Sequence, residues 1–139
     1  MTRINLVPPQ ELMDQHLFAE FREIKMVPKS LQRSINARGV AGVLLRVPAE
    51  FTLGKGHVSL FYDKGAYLET RFEELRAELR RRNYNFDELS KLDDANVYLR
   101  YPMFLGAYVP TEVALKLIRQ RIAEKIALKP DWYRYSGTK

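Results

Sequence analysis

Two groups near the start of the chain, the α-amine of Thr2 and the carboxylate of Glu23, are suited to covalent chemistry. Because the residue after Met1 is small, we expect the initiator methionine to be removed, which would leave a free amine on Thr2. An α-amine has a reference pKa of about 7.7–8.0, against about 10.4 for lysine, so roughly a tenth of it is unprotonated at neutral pH. A carboxylate beside such a nucleophile, on a basic protein, favours imine chemistry on a sugar.

The predicted helix that carries Glu23 also carries three other polar residues at matching spacing. His16 and Glu23 are two turns apart, about 10 Å along one face, and Gln15 and Arg22 occupy the adjacent row. The four side chains can therefore line one polar surface while the apolar side of the helix packs inward. By spacing alone, the pattern favours an ordinary solvated face with a capping Glu over a catalytic site.

Composition narrows the partners and the chemistry. The 139 residues fit a single domain, 1–139, and the net charge of +6 favours a polyanionic partner, without separating DNA from RNA or an anionic membrane. The absence of cysteine excludes disulfides, thiolate zinc sites and cysteine nucleophiles, and it fits a cytoplasmic location. Two histidines predict no metal site, and no apolar run reaches the length of a membrane span.

The N-terminal part of the chain predicts a helix that carries Gln15 and His16 and includes Arg22 and Glu23 near its end. Pro8-Pro9 suits its first turn, where the missing N–H costs nothing, and Pro28 ends or kinks it just before itself. A further short helical stretch stops at Gly39, and residues 40–63, with their prolines and glycines, favour irregular packed segments over brief strands. The apolar face of the first helix is formed by Met13, Leu17, Phe21 and Ile24.

Two more helices are predicted in the rest of the chain, from Lys64 to Arg82 and from Pro110 to Pro130. Residues 84–108 between them read as a long connection, with one turn of helix near 87–92 and a solvated turn at Asp93-Asp94. Three helices and packed loops predict an all-α or mainly α fold in a single domain. The two apolar stripes comprise Leu68, Phe72, Leu75 and Leu79, and Leu115, Ile118, Ile122 and Ile126.

Several short strings lie in one order and spacing along the chain: Thr2-Arg3-Ile4-Asn5-Leu6, Glu11-Leu12, Asp14-Gln15-His16-Leu17, Ala19-Glu20, Arg22-Glu23, Gly56-His57-Val58, Phe61-Tyr62-Asp63-Lys64 and Trp132-Tyr133. Together they resemble the pyrimidine-dimer DNA glycosylase family, the phage-type endonuclease V enzymes that repair ultraviolet damage. The resemblance covers nearly the whole chain and is densest at the N-terminus and from Gly56 to Lys64.

The resemblance implies a compact three-helix fold and a bifunctional repair enzyme that needs no cofactor and no metal. Such an enzyme cuts the glycosidic bond of the 5′ pyrimidine in a cyclobutane dimer and then breaks the backbone by β-elimination at the abasic site. The implied partner is double-stranded DNA that contains pyrimidine dimers or abasic sites. We expect no membrane partner and a monomeric protein.

The resemblance also implies roles for individual residues. Thr2 would supply its α-amine as the nucleophile at the sugar C1′, with Glu23 as the catalytic acidic residue and Arg22 beside it. The family pattern has a basic residue three places after that Glu, where this chain has Met26, so Lys25 or Lys29 is expected to take over a phosphate contact. Phosphates and the lesion's sugar would be held by Arg3, Gln15, His16 and Arg22, and the DNA surface would continue over Arg121 and Lys125.

Other candidate residues are better explained as structure. His57 lies in an apolar stretch and is predicted to be structural, and Gly54-Lys55-Gly56 lacks the spacing of a phosphate loop. Arg80-Arg81-Arg82 fits the basic end expected of a helix. Core packing is the favoured role of the aromatic residues, and stacking against a base, alone or in addition, is the alternative; these residues are Trp132, Tyr133 and Tyr135.

Two other functions stay open on sequence grounds. A noncatalytic DNA- or RNA-binding module on the same fold would account for the positive charge, but it has no need of the Thr2 start or of Glu23 and Arg22. A lyase that acts on other damaged bases would fit the departure from the family pattern at Met26.

Overall fold

Two amphipathic helices pack against each other at the centre of the structure, a computed structural model that describes residues 3–136. α1 spans Asp14–Glu23 and α4 spans Gly65–Arg81. Phe21 of α1 stacks on Phe72 of α4, with their ring centroids 4.9 Å apart. The predicted apolar stripes of the two helices therefore face each other and form the centre of the core.

The other elements surround this pair, and the mainly helical fold predicted from the sequence is confirmed. No β-strand occurs within residues 3–136, where an isolated bridge pairs Lys64 with Leu105. The last helix begins after Thr111, whose side chain accepts the N–H of Ala114 at 3.0 Å. The remaining elements are α2, Met26–Arg46; α3, His57–Leu60; α5, Val97–Arg100; α6, Glu112–Leu128; and 3₁₀ turns at Pro9–Glu11, Phe61–Asp63 and Pro102–Phe104.

The first predicted helix is divided differently in the structure. Pro9 lies in a separate 3₁₀ turn, and α1 ends at Glu23, well before the predicted break at Pro28. Pro28 instead lies in the first turn of α2, where a proline interrupts no helical hydrogen bond. The prediction that Pro28 marks the break was therefore wrong, and this early end leaves Glu23 at the C-terminus of α1.

α2 continues past the predicted stop at Gly39. Gly39 has φ 76° and ψ 166°, so the helix axis kinks there, but helical structure resumes as far as Arg46. The expectation of irregular structure directly after Gly39 was wrong. Val43 is buried in the core, and burial of this residue favours a second helical segment over an open loop.

The connection between α4 and α6 contains its helical turn at Val97–Arg100 rather than near residues 87–92. Asp93 is not a solvated turn residue, because its carboxylate accepts the N–H groups of Val97 and Tyr98, both at 2.9 Å. This capping satisfies the first free N–H groups of α5 and helps to place the ring of Tyr98 in the core.

Candidate active site

The segment that leads to Thr2 is fixed by the loop that precedes α3. The N–H of Ile4 donates to Nε2 of His57 at 2.9 Å, and the guanidinium of Arg3 donates to the carbonyl of Leu53. Thr2 itself lies outside the described residues, so the role of its amine stays a prediction. The two residues that follow it are nevertheless anchored at defined points.

A buried ion pair between Glu20 of α1 and Arg71 of α4 fixes the next residues. Nε of Arg71 lies 2.7 Å from Oε2 of Glu20, and the two side chains are 2% and 0% exposed. Glu20 Oε1 also accepts the N–H of Asn5 at 3.2 Å, and Arg71 donates to the carbonyl of Val7 at 2.6 Å. Burial disfavours the charge on Arg71, but the Glu20 carboxylate outweighs it and raises the pKa of Arg71.

Sequence reasoning missed Glu20 and Arg71 as a pair, although the pattern carries a signal. Glu20 follows Leu17 by three positions and precedes Ile24 by four, so it occupies a core position of its stripe. Arg71 has the same relation to Leu68, three positions earlier. A single opposite charge inside each of two apolar stripes predicts that the charges meet, because neither can be buried alone.

His57 is a buried, neutral residue whose ring makes two hydrogen bonds to the backbone. Its ring is 2% exposed, Nδ1 donates to the carbonyl of Thr52 at 2.8 Å, and Nε2 accepts from Ile4. Burial, together with the positive charges of Arg3 and Arg121, lowers the pKa of His57 to about 4. The structural role predicted for His57 is confirmed, and the neutral ring holds the residue two places after Thr2.

We expect His57→Gln to flatten the pH dependence of stability between about pH 6.5 and pH 4. In the wild type the unfolded histidine takes up a proton below its reference pKa of about 6.5, whereas the folded one stays neutral until about pH 4. The free energy of unfolding therefore decreases as the pH is lowered through this window, by up to about 3 kcal/mol. Urea unfolding at several pH values measures the slope, and equal slopes for variant and wild type would contradict the assignment.

A pocket of about 280 Å³ opens beside this anchored segment, between α1, α6 and the tail that follows α6. The structure brings together most of the residues that the sequence predicted for the site, although they come from three separate parts of the chain. Those that line the pocket are Arg3, Gln15, His16, Glu23, Arg121 and Lys125.

Of the predicted site residues within 3–136, two do not line this pocket. Arg22 is exposed, and its guanidinium carbon lies 5.5 Å from the centroid of the Phe18 ring. Lys25 is directed toward the connection after α4, where its ammonium donates to Oγ of Ser90 at 2.9 Å. The polar surface predicted for the first helix thus includes Gln15, His16 and Glu23 in the pocket but leaves Arg22 outside it.

The charges of the pocket are unequally balanced. Glu23 is half-buried, and within residues 3–136 its carboxylate has no hydrogen-bond or salt-bridge partner. Three cations share the lining with it, from Arg3, Arg121 and Lys125, and the other acid of the lining, Glu20, is already paired with Arg71. Burial and the nearby Arg121 lower the pKa of Arg3. Such a pocket can stabilise positive charge at one carboxylate while its rim attracts phosphates.

His16 enters the pocket as a neutral ring. It stacks on Tyr133 with ring centroids 4.7 Å apart, and burial, followed by the charges of Arg121 and Lys125, lowers its pKa. Its Nδ1 is buried and has no hydrogen-bond partner in the described part of the chain. At neutral pH this imidazole can offer a substrate one neutral donor or acceptor, but no charge to a phosphate.

The tail after α6 forms one wall of the pocket. The side-chain N–H of Gln15 donates to the carbonyl of Trp132, and its side-chain oxygen accepts the N–H of Arg134 at 3.0 Å. Both polar groups of this amide are therefore hydrogen-bonded to the tail. Trp132 is 56% exposed beside the pocket, which makes the prediction of core packing wrong for this residue. Tyr135 is also exposed, under the guanidinium of Arg82 at 4.4 Å.

Neither a metal-binding cluster nor a membrane-spanning helix is found in the part of the chain that the structure describes. Among the described residues, no group of three or more His, Asp and Glu side chains is placed to hold a metal ion. Within residues 3–136, no helix combines the length and the apolar character that crossing a bilayer requires.

One comparison with known proteins bears on this geometry. A family model described as pyrimidine dimer DNA glycosylase matches residues 1–92 of the chain. The matched span includes Thr2, all of α1 with Glu23, the His57 anchor and the Glu20–Arg71 pair. It ends before α6, which supplies the pocket cations Arg121 and Lys125.

Proposed function

The chain belongs to the pyrimidine dimer DNA glycosylase family, and we propose that it cuts the glycosidic bond of the 5′ base of a cyclobutane pyrimidine dimer in duplex DNA and then cleaves the strand at the abasic site. The observation that carries the proposal is the pocket in which the Glu23 carboxylate, unpaired within residues 3–136, lies among Arg3, Arg121 and Lys125. Family membership itself makes the protein a DNA glycosylase of DNA repair.

In the first proposed step, the neutral amine of Thr2 attacks C1′ of the deoxyribose. The electron pair of the glycosidic bond passes to the base nitrogen, which takes up the proton that the attacking amine loses. The released base stays joined to its neighbour through the cyclobutane ring. Positive charge develops on the sugar as the bond breaks, and the Glu23 carboxylate stabilises that charge. The unequal charge balance of the pocket supports this role, because Glu23 has no cation bound to it within the described residues.

In the second proposed step, the bond between C1′ and the ring oxygen O4′ breaks and O4′ takes up the second amine proton, so that the bond from the amine to C1′ becomes an imine. The imine acidifies the proton on C2′, and Glu23 or a water that it orients removes this proton. The C2′–H electrons form a double bond to C3′ while the 3′ phosphate leaves, which cuts the strand. Hydrolysis of the imine then releases the sugar fragment and restores the amine.

The cations are proposed to hold the backbone and to tune the amine. Arg3, Arg121 and Lys125 would contact phosphates on either side of the opened nucleotide. Their positive charge also disfavours protonation of a neighbouring amine, which increases its nucleophilic fraction at neutral pH. Arg22 and Lys25, which lie outside the pocket, are proposed to contact the flanking backbone instead.

We expect borohydride to trap a covalent adduct between the protein and dimer-containing duplex DNA, because reduction converts the imine to a stable amine. Mass spectrometry should map the adduct to the α-amine of Thr2. The matched control is the same chain with a short extension left on its N-terminus, which keeps every side chain but removes the Thr2 amine. That control should give no adduct.

Other outcomes of the trapping experiment identify the alternatives. An adduct on a lysine would overturn the assignment of Thr2, and an adduct with abasic DNA but none with dimers would indicate a lyase for other lesions. Tight binding of damaged and undamaged duplex without any adduct would indicate a noncatalytic binding module.

A further inference from the structure

We propose that a second, cationic pocket binds a phosphate of the DNA backbone outside the lesion site. It has a volume of about 330 Å³ and lies between α2 and the segment from Pro48 to Ser59. The described residues that line it are all different from those that line the first pocket. This inference rests on the proposed function, because it takes DNA as the ligand. The polar lining residues are Ser34, Arg38, Arg46, Lys55, Ser59 and Tyr62.

Charge is the first argument for a phosphate. Arg38, Arg46 and Lys55 contribute three positive charges, and no Asp or Glu of the described chain lines the pocket. All three side chains are exposed. Within residues 3–136, the one hydrogen bond made by their charged groups joins Arg46 to the carbonyl of Gly42, at 3.3 Å. Three cations around one concavity repel one another and concentrate positive potential, which a phosphate would neutralise.

Hydroxyl groups provide the second argument. Tyr62 is 8% exposed, and its hydroxyl lies 2.5 Å from Oγ of Ser30 and 3.3 Å from Oγ of Ser34. Ser59 adds a further hydroxyl, which donates to the carbonyl of Gly56 at 3.2 Å. Hydroxyls can rotate to donate to an anion, and cations together with hydroxyls are the side chains that contact DNA phosphates most often.

Backbone geometry brings the loop into this pocket. Gly56 has φ +94°, and a Cβ at this position would lie 3.2 Å from Cγ of Pro48. Only glycine combines this left-handed conformation with so close an approach, so the loop that carries Lys55 is held against the segment at Pro48.

The same short loop connects the two pockets. Lys55 and Gly56 line the second pocket. On the side of the first pocket, the carbonyl of Leu53 accepts a hydrogen bond from the guanidinium of Arg3, and Nε2 of His57 accepts one from the N–H of Ile4. A DNA strand bound at Arg3 in the first pocket would therefore lie close to the loop that also carries the second phosphate site. A phosphate bound at that site would increase the length of DNA that the protein contacts on one side of the lesion.

The test is the salt dependence of binding to an undamaged duplex of about 20 base pairs. We expect Arg38→Ala/Lys55→Ala to bind more weakly and to reduce the slope of log K against log salt by about 0.9 for each phosphate that the variant no longer neutralises. The matched control is Lys91→Ala/Lys116→Ala, which removes the same charge from two exposed lysines outside both pockets. The control should keep the wild-type slope.

Equal slopes for the two double variants would overturn the proposal, because the weaker binding would then reflect net charge alone. A second arm follows the backbone amides of Lys55 and Gly56 by NMR during titration with inorganic phosphate. Shifts there without any change in the DNA slope would indicate a free phosphate as occupant and would also overturn the DNA assignment. The readout uses undamaged DNA, so a wild type that forms no adduct in the trapping assay would defeat the proposed function without affecting this result.

Discussion

Glu23→Gln is expected to abolish most base release while DNA binding stays close to that of the wild type. The substitution keeps the shape of the side chain but removes the negative charge that stabilises the developing sugar cation. Loss of one such electrostatic group typically reduces the rate by about 10²–10³-fold. Binding should change little, because phosphates are held by the cations of the pocket, which include Arg3 and Arg121.

Single-turnover cleavage of a dimer-containing duplex measures the rate, and titration of an undamaged duplex measures the affinity. The matched control is Glu124→Gln, the same chemical change at an exposed acid of α6 that does not line the pocket. Cleavage by Glu23→Gln at the rate of this control would remove Glu23 from the mechanism.

The two helical walls of the pocket, formed by α1 and α6, could be predicted from the sequence on different grounds. Helical periodicity alone puts Gln15, His16 and Glu23 on one helix and identifies which side of that helix packs inward. It does not say which distant element covers the polar side. The placement of Arg121 and Lys125 opposite α1 followed from the family resemblance and not from their spacing.

The tail wall and the position of Arg22 could not be predicted, for physical reasons. Residues 132–136 have no repeating pattern, and their position is set by tertiary hydrogen bonds such as those to Gln15. Arg22 and Glu23 are successive residues, so their side chains point about 100° apart around the helix. That rotation directs Arg22 over Phe18 and Glu23 into the pocket.

Arg71→Met should destabilise the fold by about 3–5 kcal/mol, because it leaves the Glu20 carboxylate buried without its counter-charge. The Glu20 carboxylate is not solvated in the folded structure, since its side chain is 0% exposed. The substitution also removes the donor to the carbonyl of Val7, so it should loosen the segment that leads to Thr2. Urea unfolding measures the first effect, and hydrogen exchange at the N–H of Asn5 measures the second.

The matched control is Arg80→Met, which breaks the ion pair with Glu88 at the surface, where both side chains are 54% exposed. Exposed pairs contribute at most about 1 kcal/mol, so the control should unfold nearly as the wild type does. A second variant, Glu20→Leu/Arg71→Met, removes both charges and should recover much of the stability, because a well-packed apolar pair needs no counter-charge. If Arg71→Met cost no more than Arg80→Met, the buried pair would not be what holds the N-terminal segment against α1 and α4.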